Sequence, residues 1–427
     1  MPELPVVDVG MVAQLSDDCF AFGGSLLGID AARRMIFERV TPVAGIERVP
    51  LRQALGRTLA EDIVAPIAVP GYDNSAVDGY AVRFDDLRAD RPTTLRCIDR
   101  IAAGHDPSAR LTQGVAARIF TGAILPEGAD VVIMQEDCER DGDRVTIQPG
   151  IKRGANTRRA GEDIAAGSRA LTAGRRLGPA DLGLLAALGF VDVPVRRKLL
   201  VALLSTGDEV REPGAPLQRG QIHDANRYIL AGLLERLGVE VSDHGIVRDD
   251  EARLGDALRE AAAESDLIIT SGGVSTGEED HVRTAIANDG SLYFWRLAIK
   301  PGRPVAMGQI GSTPLAGLPG NPVAALLTFA LVARPMIEAL SATTPHVAKR
   351  FRVVADFPYK KRAGRREYVR VSLDPSAGLA KARRYHKEGA GMLTSLTETD
   401  GLVELPEETT KLEPGAEVDF LPYSELV

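Results

Sequence analysis

The chain has 427 residues and a formal net charge of -8, with 44% hydrophobic and 26% charged residues. This length exceeds the size that one hydrophobic core usually serves, so at least two domains are expected. Aromatic residues make up only 5%, and the acidic balance lacks the basic surface of a nucleic-acid-binding protein. We therefore predict no nucleic-acid partner.

The cysteines and the apolar segments indicate the compartment. Three scattered cysteines without a C-x-x-C pair predict neither a disulfide framework nor a zinc knuckle. The first residues have neither the basic region nor the apolar core of a signal peptide. The best candidate for a membrane span, residues 323–337, is interrupted by Arg334 and Pro335. These features predict a soluble, cytoplasmic protein without a membrane partner.

The hydrophobic pattern divides the chain into five predicted units. Helical periodicity before residue 65, including a helix after Pro50, returns near residue 178, and short apolar runs with turn residues separate the two stretches. The predicted units are an N-terminal extension (1–25), a helical N-terminal domain (26–65 and 168–198), an inserted β-module (66–167), an α/β domain (199–345) and a small C-terminal β-barrel domain (346–427).

Residues 199–345 have the clearest rhythm. Strand-like runs alternate with helical segments that include 226–238, 250–264, 279–289 and 321–340, and this alternation predicts a parallel sheet covered on both faces. Ligands of such sheets bind beyond the carboxyl ends of the strands. After residue 345 only short strand candidates occur, which indicates a small barrel or sandwich.

The sequence SGGVSTG, residues 271–277, lies between a buried strand and a helix. Its glycines allow close approach of the backbone, and successive N–H groups at a helix start can form an anion nest. Its candidate ligand-binding residues are Ser271, Gly272, Gly273 and Ser275. Glu278, Glu279 and Asp280 follow, either as helix caps or as groups that need a bridging cation beside a phosphate. We predict that the loop binds a phosphorylated, metal-bridged ligand.

Two further acidic loops follow predicted strands. Ser205, Thr206, Gly207 and Glu209 end the first strand of the α/β domain, where they form either an ordinary turn or part of the ligand site. The pair Asp249-Asp250 ends the next strand region, and an N-cap for the following helix is an equal alternative.

Cations and a proline-rich turn mark two more loops. The sequence RLAIKPGRP, residues 296–304, spaces three cations through an apolar strand and turn, which favours oxyanion binding over a solvated face. Its candidate residues are Arg296, Lys300, Pro301, Gly302 and Arg303. In GLPGNP, residues 317–322, Asn321 and Pro322 are typical of a helix start, which is either structural or anion-binding. The candidates there are Pro319, Gly320 and Asn321.

Two common nucleotide signatures are absent. The chain has no G-x-x-x-x-G-K-[ST] and no G-x-G-x-x-G, so neither a P-loop nor a dinucleotide-binding fold is predicted. Polar loops at 74–80, 121–123 and 158–163 have no strand or helix periodicity, and by themselves they indicate only turns.

Seven ordered strings nevertheless resemble one family. They are NSAVDGYAVR, RIFTGAILPEGADVVI, RRAGEDI, ALLSTGDEV, TSGGVSTGEEDH, WRLAIKPGRP and GLPGNPVAA. Together they resemble the molybdopterin molybdenumtransferase family, of the MoeA type also seen as the E domain of gephyrin, over about residues 28 to 425. The resemblance implies that the central α/β domain binds molybdopterin.

The resemblance also implies an activity and an assembly. Such an enzyme takes adenylated molybdopterin and molybdate, releases AMP and yields the molybdenum cofactor. Family members need a divalent cation, typically Mg²⁺, and work as elongated homodimers. The site then lies between the α/β domain of one subunit and the inserted module of the other, and a molybdopterin adenylyltransferase is a further predicted partner.

Functional residues are carried over where this sequence matches the family motifs. The implied catalytic residues are Asp78, Thr121, Asp163, Glu209, Asp249, Asp280, Arg296 and Lys300. Glu209, Asp249 and Asp280 are the implied metal ligands, and Arg370 and Ser395 match positions of an oxyanion site in the barrel. The family usually has lysine at position 296 and methionine at position 77, where this chain has arginine and Val77.

Two alternative functions stay open at this point. The chain could be a molybdopterin adenylyltransferase, which would need ATP, although that family is typically the α/β domain alone. It could also be a non-catalytic scaffold that binds the molybdenum cofactor or clusters partners, although its acidic and basic loops are intact.

Overall fold

The computed structural model describes residues 26–272, 290–375 and 378–426. The predicted extension 1–25 and the helix predicted at 279–289 lie outside these residues. Among the candidate site residues, those outside are Gly273, Ser275 and Asp280.

The N-terminal unit is built from two stretches of chain. Its elements are α1 (Ile29–Arg39), β1 (Ile46–Pro50) and β2 (Ile63–Val64), then β11 (Arg169–Leu171), α2 (Pro179–Ala187) and β12 (Asp192–Arg196). Strand β1 pairs with β12 and β2 with β11, both antiparallel. Buried residues from 49–63 and 171–195 share one hydrophobic core. Helix α1 instead packs into the core of the α/β domain.

The helix predicted after Pro50 is wrong. The structure has a single 3-10 turn at Leu51–Gln53, after which Thr58 pairs with Arg176 and Leu59 with Val195. Backbone groups that a helix would satisfy locally are thus paired with segments more than a hundred residues away. Tertiary pairing overrides the helical propensity of the segment, so the unit combines helices α1 and α2 with two short antiparallel strand pairs.

The β-module lies between β2 and β11. Its strands are β3 (Asn74–Ser75), β4 (Gly79–Val82), β5 (Thr93–Ile101), β6 (Val115–Ile119), β7 (Val131–Met134), β8 (Cys138–Asp141), β9 (Arg144–Ile147) and β10 (Thr157–Arg158). Six of them form a sheet in the order β7-β4-β6-β5-β9-β8. Buried side chains pack on both faces of this sheet, so the module has a core of its own.

The α/β domain contains a mixed six-stranded sheet. Its elements are β13 (Leu200–Thr206), β14 (Val210–Arg211), β15 (Ile222–His223), α3 (Asn226–Arg236), β16 (Glu240–Val247), α4 (Glu251–Glu264), β17 (Leu267–Ser271), β18 (Gly290–Arg296), β19 (Ile299–Lys300), β20 (Pro304–Ile310), β21 (Thr313–Leu318), α5 (Pro322–Thr328) and α6 (Arg334–Leu340). The order is β16-β13-β17-β21-β20-β18. The first four strands are parallel as predicted, whereas β20 runs antiparallel to both of its neighbours, β21 and β18.

Helices α5 and α6 form one apolar rod through a π-helical turn at Phe329–Ala333. Residues Pro322–Leu340 have the length and mean hydropathy, 1.8, of a membrane span, but 94% of this window is buried inside the protein. Such burial is typical of a core helix. Arg334 lies within the rod, where Glu338 accepts a hydrogen bond from its Nε at 2.8 Å.

The C-terminal domain is a closed β-barrel, as predicted. Its elements are β22 (Phe351–Ala355), β23 (Tyr359–Lys360), β24 (Arg366–Asp374), β25 (Lys381–Arg384), α7 (Thr394–Thr397), β26 (Gly401–Leu405), β27 (Lys411–Leu412), β28 (Glu417–Pro422) and α8 (Tyr423–Leu426). Pairing of β24 with both β25 and β26 closes the ring of β24, β25, β22, β28 and β26. Closure removes the exposed strand edges. Strand β19 of the α/β domain adds to β24.

Candidate functional site

Three candidate loops begin at neighbouring strand ends of the α/β sheet. Ser205 of β13 lies opposite Ser271 of β17, and Ser271 lies opposite Leu318 of β21. Strand β13 is buried along nearly its whole length, as expected of a parallel strand covered on both faces. The prediction that these loops converge at the carboxyl edge is confirmed for the described residues.

Gly272 marks a close approach of backbone segments at this edge. Its φ angle is +91°, and its N–H donates to the carbonyl oxygen of Leu318 at 3.1 Å. A Cβ at this position would lie 2.5 Å from the carbonyl oxygen of Thr206. Both the φ angle and the lack of space therefore require glycine where β17 passes the end of β13.

Asn226, the first residue of α3, connects two of the loops. Its Nδ2 donates to Ser271 Oγ at 2.9 Å and to the carbonyl oxygen of Gly320 at 2.8 Å. Asn226 was not among the predicted site residues, because in the sequence it is only an amide at the start of a helix. Buried oxygens without a hydrogen-bond partner among the described residues include Ser205 Oγ, Thr206 Oγ1, Asn226 Oδ1 and Thr270 Oγ1. Such unmatched atoms favour a polar ligand at this edge.

The acidic candidates lie at the same end of the sheet without forming a metal cluster. Glu209 is exposed after β13, and Asp249 is half-buried after β16. Asp250 caps α4 through its side chain, so the N-cap alternative is correct for this residue. In the described ranges no three His, Cys, Asp or Glu side chains are placed to hold a metal ion. The third predicted ligand, Asp280, lies outside the described residues, so the Mg²⁺ set of Glu209, Asp249 and Asp280 stays a prediction.

Lys300 is held by a buried carboxylate of the barrel. Its Nζ lies 3.4 Å from Oε2 of Glu367, whose side chain is only 1% exposed. Burial alone would raise the pKa of Glu367, but hydrogen bonds from Tyr359 and Arg365 and the charge of Lys300 lower it. Glu367 therefore stays ionised and fixes Lys300 at the junction of the two domains. Arg296, like Lys300, is exposed.

Lys300 and Arg370 line one cavity of about 220 Å³ between the α/β domain and the barrel. Two further cations, Arg384 and Lys387, line it with a single carboxylate, Glu388, which pairs with Arg384. The surplus of positive charge suits an oxyanion. No sequence motif indicated Arg384 and Lys387, because their place beside Arg370 depends on the register of β24 against β25.

Arg370 also contacts the other predicted barrel residue. Its Nη1 donates to Ser395 Oγ at 2.6 Å, and Ser395 is fully buried. Burial lowers the pKa of Arg370, although an arginine stays charged near neutral pH. The structure thus brings Lys300, Arg370 and Ser395 together.

The GLPGNP loop joins this cavity to the glycine-rich edge. The backbone N–H of Val323 donates to the carbonyl oxygen of Ala390, which lines the cavity, at 3.0 Å. A Cβ on Gly320 would lie 3.9 Å from Cα of Gly272. Asn321 occupies the N-cap position of α5, with Pro322 in the first turn, but its side chain makes no capping hydrogen bond. The cavity and the glycine-rich edge are therefore neighbouring parts of one surface.

Three more of the RLAIKPGRP candidates line a separate cavity of about 260 Å³ that also includes Lys300. These residues are Pro301, Gly302 and Arg303. The Lys300–Pro301 peptide bond is cis. Arg362 and Arg365 of the barrel lie against the same space.

Asp78 and Thr121 form a second polar cluster, in the β-module. Asp78 Oδ1 accepts hydrogen bonds from the backbone N–H of Thr121 at 2.8 Å and from its Oγ1 at 2.7 Å. These bonds, first the backbone one, lower the pKa of the exposed Asp78 carboxyl. Asp163 is exposed, and its N–H donates to the carbonyl oxygen of Val69. Neither cavity beside Lys300 is lined by a residue of the module.

Family matches cover most of the chain. The matched families are described as "MoeA N-terminal region (domain I and II)" over residues 27–189, "Probable molybdopterin binding domain" over residues 202–339 and "MoeA C-terminal region (domain IV)" over residues 352–423.

Curated relatives have similar lengths. Molybdopterin molybdenumtransferase of Haemophilus influenzae is 38% identical over 409 residues, which cover 94% of this chain and 100% of the relative. Molybdopterin molybdenumtransferase 2 of Mycobacterium tuberculosis is 37% identical over 380 residues, covering 87% and 93%.

Solved structures share the fold. The crystal structure of the molybdopterin biosynthesis MoeA protein from Pyrococcus horikoshii OT3 superposes with a TM-score of 0.78 at 30% identity, covering 93% of this chain and 100% of that chain. Another MoeA structure from the same organism gives 0.73 at 34% identity, covering 93% and 99%.

Proposed function

The chain belongs to the MoeA family of molybdopterin molybdenumtransferases, and from this membership we propose that it is an enzyme that inserts molybdate into adenylated molybdopterin. The phosphoanhydride of the substrate breaks, AMP leaves and the molybdenum cofactor forms. The observation that carries the proposal is the cationic cavity in which Lys300 and Arg370 meet beside the glycine-rich edge.

Each part of this surface has a chemical task in the proposal. The loop that begins at Ser271 and Gly272, with the Ser271 hydroxyl held by Asn226, binds phosphate oxygens of the adenylated substrate. Lys300 and Arg370 bind molybdate and neutralise negative charge as the phosphoanhydride breaks. Sulfur atoms of the substrate, rather than a protein nucleophile, take up the molybdenum.

Magnesium is a further part of the proposal. When bound, the ion would neutralise charge on the pyrophosphate, with Glu209, Asp249 and Asp280 as its proposed ligands. We expect AMP release to stop when divalent cations are chelated and to return when Mg²⁺ is added back. AMP release that continues in the presence of the chelator would contradict a role for Mg²⁺ in the reaction.

A homodimer completes the proposed site. Asp78 and Thr121 lie in the module and line neither cavity beside Lys300. We propose that they, with Asp163, face the α/β domain of a second copy. A molybdopterin adenylyltransferase as the supplier of the substrate and a cytoplasmic location remain parts of the same proposal.

Molybdate-dependent AMP release tests the proposed function. Purified protein, adenylated molybdopterin and Mg²⁺ should release AMP only when molybdate is added. Adenylation of molybdopterin with ATP would instead identify an adenylyltransferase, and tight cofactor binding without AMP release would identify a scaffold. Either result would overturn the proposal.

A pair of barrel arginines provides the matched variants for this assay. Arg370→Gln removes a cation of the cavity and should raise the KM for molybdate by about tenfold, the effect of one lost charge-assisted contact. Arg352→Gln removes an exposed arginine that pairs with Asp419 at 3.0 Å, and it should leave this KM unchanged. Equal changes in the KM for molybdate in the two variants would show that the cavity does not bind molybdate.

A further inference from the structure

Another cavity, of about 360 Å³, lies where the N-terminal unit meets the α/β domain. It is lined by both stretches of the N-terminal unit, by the turn after α3 and by α6 with the segment that follows it. None of the candidate catalytic or substrate-binding residues lines it. Its size falls within the range of small-molecule sites.

The lining of this cavity is strongly cationic. Its six cations are Arg57, Arg176, Arg196, Arg197, Lys198 and Arg334, and Glu338 is the single carboxylate among the lining residues. Four of the cations have a carboxylate partner. These pairs are Arg57 with Glu47, Arg197 with Asp266, Lys198 with Glu240 and Arg334 with Glu338.

Arg176 and Arg196 are the two cations without a carboxylate partner in the described part of the chain. Arg176 donates from Nε to the carbonyl oxygen of Gly56 at 3.1 Å and from Nη2 to that of Arg236. Arg196 donates from Nη1 to the carbonyl oxygen of Ala44 at 3.2 Å. Its Nε is buried with no partner among the described residues. Two half-buried positive charges are thus left unbalanced.

The strand pairing places these two arginines on either side of Thr58, and both line the cavity. Thr58 pairs with Arg176 in an antiparallel bridge, and its carbonyl oxygen accepts a hydrogen bond from the backbone N–H of Arg196 at 2.7 Å. Burial and then the charge of Arg334 lower the pKa of Arg176. The same two causes lower the pKa of His346, which also lines the cavity. Cations here repel one another, and a bound anion would relieve that repulsion.

We propose that this cavity binds a tetrahedral dianion, free or as a phosphomonoester, through Arg176 and Arg196. Two unbalanced guanidinium groups match a ligand of charge -2, and guanidinium groups suit tetrahedral oxyanions geometrically. Because the lining combines the N-terminal unit with α6, the ligand ties the two units together. The site is separate from the proposed molybdenum-insertion site.

Isothermal titration calorimetry tests this site. The full-length Arg370→Gln variant is used, because it weakens anion binding at the proposed oxyanion cavity beside Lys300. Inorganic phosphate, molybdate and AMP are titrated in parallel. Tighter binding of AMP that is lost on substitution of Arg176 and Arg196 identifies a phosphomonoester site, and equal or tighter binding of a free oxyanion identifies an oxyanion site. Absence of binding by all three probes overturns the proposal, whatever the outcome of the AMP-release assay.

Added substitutions locate the binding. Arg176→Gln combined with Arg196→Gln should weaken binding at least about tenfold, since one lost charge-assisted contact corresponds to about that factor. Arg176→Lys combined with Arg196→Lys keeps both charges and should bind more tightly than the double glutamine variant, which separates the loss of charge from a folding defect. Arg140→Gln removes an exposed arginine of the module and should change nothing. Binding unaffected by the double substitution overturns the proposal.

Discussion

Both a positive φ angle and a lack of space for a side chain require glycine at position 272. Substitutions at two positions can measure these two effects separately. Gly272→Ala places a Cβ 2.5 Å from a carbonyl oxygen at a φ angle of +91°. Gly415 has the same φ angle, and its Cβ would meet no atom within 4 Å. We expect Gly415→Ala to lower the free energy of unfolding by about 1–2 kcal/mol through the φ angle alone. Gly272→Ala should lose about 1–3 kcal/mol more through crowding.

Urea denaturation measures both losses, provided that the dependence on denaturant is unchanged. Equal losses for the two variants would show that the backbone at Gly272 is free to move away from Thr206. The sheet edge would then be less closely packed than the structure shows.

The Asp78–Thr121 contact predicts a specific titration. Hydrogen bonds from Thr121 lower the pKa of Asp78 below its ordinary value of 3.8. The stabilisation of the ionised form is therefore present above that value and is lost as the pH falls through the lower folded-state pKa. Thr121→Val removes the hydroxyl donor but keeps the backbone donor, so the pKa of Asp78 should rise part of the way back.

Carboxyl NMR titration checks this rise. Thr94→Val, which removes a hydroxyl from an exposed threonine pair with Thr146, should leave the pKa of Asp78 unchanged. An Asp78 pKa that is the same in Thr121→Val would mean that the hydroxyl contact is not formed in solution.

Side chains of the site differ in how far the sequence could predict them. Gly272 and Lys300 lie in loops whose composition indicates anion binding. Asn226 and Arg384 reach the site only through tertiary register, because neither belongs to a recognisable loop signature. That register is fixed by the packing of the complete fold, and no short sequence motif specifies it.

Among the secondary-structure elements, the segment after Pro50 gives the clearest test, because strand pairing and the predicted helix would bury different leucines. Leu55 and Leu59 are four residues apart and would share one face of the predicted helix. In the structure Leu59 is 0% exposed and Leu55 is 56% exposed. We expect Leu59→Ala to reduce the free energy of unfolding by about 2–5 kcal/mol.

Leu55→Ala is the matched control and should change stability by less than about 0.5 kcal/mol. Thermal or urea unfolding of the two variants makes the comparison. Similar losses of unfolding free energy in both variants would contradict the strand pairing and favour the helix that the local pattern predicted.

Local signals predicted the elements of the α/β domain well. Helix α3 is followed by Gly238, which has a φ angle of +75°, and helix α4 begins at a capping Asp250. Such signals act within a few residues. The reversed direction of β20 between β21 and β18 had no local signal, because strand direction depends on how the connections cross the sheet. Closure of the barrel through β24 and β26 is set in the same way.

Across the assembled protein, the candidate residues fall into two groups. Lys300 and Arg370 line a cavity between the α/β domain and the barrel, whereas Asp78 and Thr121 bond to each other in the module. Loop composition predicted Lys300, whereas the resemblance to the MoeA family implied Arg370, Asp78 and Thr121 and their union in a homodimer. A single chain has no contact pattern that tests this union, so an experiment on two chains is needed.

Mixing two impaired chains tests this divided site most directly. At a molybdate concentration well below the KM, Arg370→Gln should keep only about a tenth of the wild-type AMP release, and Asp78→Asn should be impaired at least as strongly. When the two variants are unfolded, mixed equally and refolded, half of the dimers carry one copy of each. In a two-fold symmetric dimer each such pair has one site with both halves intact, so activity should return to about a quarter of the wild-type value. Activity that stays at the level of the separate variants would contradict a site shared between subunits.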